Sequence, residues 1–160
     1  MKAINLFLIM IMTTSTTVCA SMRPAGYHGV GPRLGLTVDP DQFHFGGHVD
    51  LGDLAPNLMM IPNLEIAIAD NVTTTAPSFE LDYRFRSDWR AWTPYVGGST
   101  GPVFRSYGDG RTVSDLGMYL QVGMAKELSS LNPSRFFLEL KLGLIQAPEA
   151  RFTIGWIFGD

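Results

Sequence analysis

The chain has 160 residues, a formal net charge of −3 and 17% charged residues, well below the roughly 25% of a soluble domain. A negative balance argues against a nucleic-acid partner. Lysine occurs only at positions 2, 126 and 141, so there is no lysine-rich face to show to water.

Residues 1–20 read as an export signal. Lys2 supplies a positive start, Ile4 to Met12 a short apolar core, and Val18-Cys19-Ala20 a small-residue cleavage site ahead of Ser21. Nine apolar residues are too few for a spanning helix, which needs about 20. Lipidation of Cys19 is the alternative, but Thr16-Thr17-Val18 do not resemble a lipobox. Cleavage takes the charge to −4 and removes the only cysteine, which excludes disulfides and cysteine metal sites. Residues 21–160 then form one domain.

Along that domain the spacing predicts eight strands. The first is Arg33 to Val38, with Leu34, Leu36 and Val38 on one parity; Asp39-Pro40-Asp41 is turn chemistry. The second, Gln42 to Leu51, sets Phe43, Phe45, Val49 and Leu51 against Gln42, His44, His48 and Asp50. The third spans Leu58 to Ala69, with Pro62 an irritant because proline removes a ladder hydrogen bond. The fourth, Ser78 to Arg86, alternates Phe79, Leu81, Tyr83 and Phe85 with Glu80, Asp82, Arg84 and Arg86.

A fifth strand from Trp92 to Arg105 is weakened by Pro94, Pro102 and several glycines, and the longest predicted loop, Ser106 to Ser114, follows it. The sixth is Asp115 to Leu128. The seventh, Arg135 to Leu144, shows the rule most plainly: Phe136, Leu138, Leu140, Leu142 and Leu144 oppose Arg135, Phe137, Glu139, Lys141 and Gly143. The eighth, Arg151 to Phe158, repeats it. Side chains alternate faces along a strand, so every second residue builds a greasy wall and the rest a polar or small one.

Connections this short allow only an antiparallel meander. A bilayer admits strands only as a closed ring. The fold class expected is therefore all-β: an eight-stranded antiparallel up-and-down transmembrane barrel, apolar outside, with a lumen filled by polar side chains. Its lumen network is assigned to Arg33, His44, His48, Glu65, Glu80, Asp82, Arg84, Glu139, Lys141 and Arg151, with Gly35, Gly117, Gly123, Gly143 and Gly155 leaving room. Buried ions are costly unless paired, so this network plugs the barrel rather than lining a pore. Tyr27, Tyr83, Phe85, Trp89, Trp92, Tyr95, Trp156 and Phe158 are assigned to interfacial girdles.

No catalytic, cofactor or metal site is expected. His44 and His48 lie about 13 Å apart along a strand at roughly 3.3 Å per residue, too far for one ion. Glu65, Glu80 and Asp82 lack a nucleophile–base motif, and solvation is favoured over Ca²⁺ binding for Asp39 and Asp41.

The signal segment, Pro94-Tyr95-Val96-Gly97-Gly98, the Phe136–Leu144 run and terminal Gly155-Trp156-Ile157-Phe158 together resemble the small eight-stranded bacterial outer-membrane β-barrel proteins, such as the transmembrane domain of outer-membrane protein A. The resemblance implies an outer-membrane location, a periplasmic N-terminus, the longest loop at the cell surface, and a terminal aromatic read by the outer-membrane assembly machinery. The partners expected are outer-membrane lipid and that machinery, for a monomeric, non-enzymatic barrel with a structural or surface-interaction role or limited small-solute passage. Two other readings are a soluble lipocalin-like barrel with its faces reversed, binding an apolar ligand, and an outer-membrane lipid-modifying enzyme.

Overall fold

The computed structural model describes residues 26–86, 92–129 and 134–159. The signal segment with Cys19, and Trp89, lie outside the described residues. Among the described residues nine strands form: β1 (Gly29–Val38), β2 (Gln42–Asp50), β3 (Asp53–Ala55), β4 (Leu58–Ala69), β5 (Val72–Arg84), β6 (Trp92–Tyr107), β7 (Thr112–Ser129), β8 (Ser134–Ile145) and β9 (Ala150–Phe158). β3 is a short continuation of β2 beyond Leu51-Gly52, where Gly52 takes a φ of +78° that favours glycine. Each remaining strand pairs antiparallel with its chain neighbour, β1 pairs with β9, and the pairing of β2 with β4 completes a closed ring of eight staves.

All eight predicted strands are present, several of them longer than expected. The Ser106–Ser114 loop is corrected: it is not a long loop but a hairpin whose ladder runs to Ser106↔Thr112 and closes with Tyr107 N–H donating to Arg111 C=O. Serine and threonine suit a pleated ladder. Only Gly108-Asp109-Gly110, where Gly110 has a φ of +88°, then needs to turn.

Interior prolines sit where the ladder skips. Pro62 falls beyond the last β2–β4 pair, His48↔Asn63. Between Thr75↔Phe104 and Phe79↔Thr100 the β5–β6 ladder lapses, and by register Pro77 and Pro102 face each other there. The β1–β9 ladder likewise lapses around Pro32. A residue without an N–H cannot donate to a ladder, so three seams each carry a short gap.

The parities sort as the alternation predicts. Leu36, Phe43, Phe79, Leu140, Leu142 and Phe152 are exposed on the outer wall, Leu36 to 60% and Phe152 to 49%, while Glu80 and His44 inside are 0% exposed. This corrects the lipocalin-like reading, which required the leucines of β8 inside and its charges outside. Of the aromatics assigned to girdles, Tyr95 is corrected: it points into the lumen and is buried, on the parity of Gly97 and Ser99. Trp92 and Trp156 lie on the outer wall near the chain ends, with Phe136, outside that set, between them at ring-centroid distances of 6.4 and 5.2 Å. Lys126 extends its ammonium over Trp92, 5.8 Å from the ring centre.

Candidate functional site

Among the described residues charge gathers in the lumen, and it is stratified there. Its middle layer is ionic. Arg33 forks onto Glu80, Nη1 to Oε1 at 2.7 Å and Nη2 to Oε2 at 3.1 Å, and reaches Glu65 at 3.3 Å. Arg151 takes the other Glu65 oxygen at 2.7 Å. The Lys141 ammonium donates to Glu80 and lies 3.5 Å from Glu139. Asn63 donates to Glu80 at 2.8 Å, Tyr95 O–H to Glu139 at 3.0 Å, and Gln121 to Asp82 at 2.5 Å. Bidentate, charge-assisted contacts of this kind are the strong ones, and they compensate desolvation only when the sets are complete.

Toward the hairpin-tip end the layer turns neutral. His44 is held between Thr37 Oγ1, 3.2 Å from Nδ1, and Thr153 Oγ1, 3.1 Å from Nε2. Above it Arg105 bonds Asp115 at 2.6 Å and the Gln146 carbonyl at 2.9 Å, tying β6 and β7 to the β8–β9 turn. At the hairpin tip, the Arg111 backbone N–H and guanidinium hold the exposed Asp109 carboxyl below its usual range.

Toward the chain ends the lumen becomes apolar. Met59, Ile61, Phe137 and Ile157 are buried there. Arg135 pairs with buried Asp50 across this end. Arg33 lies over the Phe137 ring at 5.4 Å, and His48 meets the same ring edge-on at 5.2 Å.

Cross-strand glycines make these large inward residues fit. A Cβ on Gly155 would lie 2.4 Å from Phe137 Cζ, and one on Gly123 2.4 Å from Tyr95 Oη. Each glycine stands opposite the residue it accommodates or one strand from it, as Phe137↔Gly155 and Tyr95↔Gly123 show.

The structure brings Arg33, Glu65, Glu80, Glu139, Lys141 and Arg151 into one contact network, with Asp82 beside it, one oxygen within 4.8 Å of oxygens of Glu80 and Glu139. His44 and His48 are buried within the lumen, but neither joins the ionic contacts; both ring nitrogens of His48 lack partners. Arg84 is corrected: it lies at the rim, about a third exposed, paired with Asp53 at 2.5 Å. It comes near the end of β5, beyond the depth at which the ring closes over it. Tyr95, Phe137, Asn63 and the Arg135–Asp50 pair were missed as site residues. Parity was the available signal, since each shares its strand's polar or glycine-rich face.

No family model matches the chain, and no curated protein matches it. Among solved structures, the crystal structure of Neisserial surface protein A is similar in fold: TM-score 0.66 at 10% identity, over 84% of this chain and 96% of that one.

Proposed function

We propose that this chain is an integral protein of the bacterial outer membrane, a monomeric, non-enzymatic barrel whose role is structural or lies in contacts at the cell surface. One observation carries the reading: a continuous apolar exterior encloses a lumen whose charged side chains are shielded from solvent and, Asp82 apart, ion-paired inside. Water would solvate such a wall poorly, whereas lipid does so at no cost. From Phe136 to Leu144 the outward run of β8 covers about 26 Å of strand at roughly 3.3 Å per residue, matching an apolar band once tilt is allowed for.

The buried carboxylates engage arginine, lysine, tyrosine or amide partners instead of facing a cleft. That supports a plugged interior and a role other than catalysis or free solute passage. Outer-membrane lipid is the partner the wall fits, with the assembly machinery as the route of insertion. The fold shared with Neisserial surface protein A agrees with this placement.

Cell fractionation with a gel comparing boiled and unboiled protein tests the proposal. The expected result is recovery with the outer membrane and a band that shifts on boiling. Recovery as a soluble protein rejects it. A lipid A profile changed by deleting the gene rejects the non-enzymatic part alone.

A further inference from the structure

One charge stands on the apolar side of the wall. Among the described residues of the strands, Lys126 on β7 is the one charged side chain at an outward position. Its chain neighbour Glu127 has the opposite parity and stands in register with Arg135. Among the described residues no carboxylate pairs with the Lys126 ammonium; the acids that make ion pairs are matched to Arg33, Arg84, Arg105, Arg111, Arg135, Lys141 and Arg151. The wall therefore carries a cation without a counter-ion from the protein.

Its setting is as particular as its charge. Register places Trp92, Lys126, Phe136 and Trp156 side by side on β6, β7, β8 and β9, a single row across four adjacent strands. The ammonium lies 5.8 Å from the centre of the Trp92 ring. Phe136 begins the outward run of β8 that matches the apolar band, so the row marks one edge of that band. On β7 the outward residues within the band are Met124, Val122, Leu120 and Met118. Lipid headgroups begin at such an edge, and tryptophan is enriched there. A lysine lays its stem along apolar surface and turns its ammonium toward the headgroups.

We propose that Lys126, flanked by Trp92 and Phe136, binds the headgroup phosphate of an anionic phospholipid of the phosphatidylglycerol class. The proposal rests on the membrane reading above and names which lipid the wall selects and where. Lysine binds phosphate as a point charge. A single ammonium matches a lipid that carries one net negative charge, whereas a zwitterionic headgroup brings a second cation to the same place. The Trp92 indole N–H is a donor with no acceptor capacity, suited to ester or phosphate oxygens at that depth. Phe136 and Trp156 continue the row as apolar surface for the acyl chains of the bound lipid.

The test is to refold the chain into phosphatidylcholine vesicles doped with a minor fraction of lipid brominated on its acyl chains, either phosphatidylglycerol or phosphatidylcholine, and to read tryptophan quenching. The expected result is that phosphatidylglycerol is enriched about fivefold beside the tryptophans, which corresponds to about 1 kcal/mol for one cation at an anionic surface. Lys126→Arg should keep the preference and Lys126→Gln should lose it. Exposed Arg86, beyond the end of β5, supplies the control: Arg86→Gln should keep it too. Equal quenching by the two lipids in the folded wild type overturns the site, as does a preference that persists in Lys126→Gln. A preference lost equally in Arg86→Gln assigns the attraction to the rim at large and also overturns it. If Lys126→Gln does not fold, the wild type in about 1 M salt decides, since screening then acts within about 3 Å; an undiminished preference overturns the ionic contact. A chain that does not insert, with no band shifted by boiling, overturns the membrane reading and this site together, whereas an inserted chain without preference overturns the site alone.

Discussion

The ionic middle of the lumen and the apolar layer beneath it are built by the same strands, yet they fill the ring by opposite means. On β8 the inward residues change from Lys141 and Glu139 to Phe137 within one parity, and on β9 from Arg151 to Ile157. The ionic layer depends on complete partner sets, because a lone buried charge has no compensation. In the apolar layer, Met59, Ile61, Phe137 and Ile157 depend on volume. An inside face thus need not have one chemistry, and the two layers should fail differently.

Removing one member of the ionic layer should have the largest effect. Glu80→Gln takes from Arg33 and Lys141 their nearest carboxylate, leaving only the longer contacts to Glu65 and Glu139, and should destabilise the barrel by about 3–5 kcal/mol, read as urea unfolding in lipid vesicles. Replacing Arg33 and Glu80 together by apolar residues of similar volume should cost less than Glu80→Gln alone; an equal or greater loss would break the distinction between the layers. In the apolar layer, Phe137→Ala should cost about 3 kcal/mol through the cavity it opens, and Gly155→Ala should be tolerated better in that background than alone, since the Phe137 ring is what its Cβ would meet at 2.4 Å. Outside both layers, Leu140→Arg should cost roughly 2–4 kcal/mol in vesicles, the value for a guanidinium at mid-bilayer. At the rim, Arg84→Ala should change stability by under about 1 kcal/mol, because that pair is a third exposed to solvent.

Parity made most of this legible before any coordinates. Alternation in SFELDYRFR and RFFLELKLGL separates wall from lumen, and Arg33, Glu65, Glu80, Glu139, Lys141 and Arg151 follow from it directly. What alternation lacks is depth. It assigns Arg84 to the same face as Glu80 but not to the rim, and it cannot tell that Phe137 fills the ring while Phe136 meets the outside. Tyr95 was misplaced because an aromatic near a strand end also suits an interface; its neighbours Gly97 and Ser99 were the better guide. The Ser106–Ser114 segment misled for a different reason. Hydroxyl side chains favour turns and exposed ladders alike, and only cross-strand pairing decides between them.

The proline gaps also bear on how the ring comes apart. Where Pro77 meets Pro102 and beside Pro32, neighbouring staves lack backbone pairing over a few residues. Amide protons flanking those two seams should therefore exchange with deuterium ahead of those in the uninterrupted β6–β7 seam, and a barrel pulled or heated apart should tear first along β5–β6 or β1–β9.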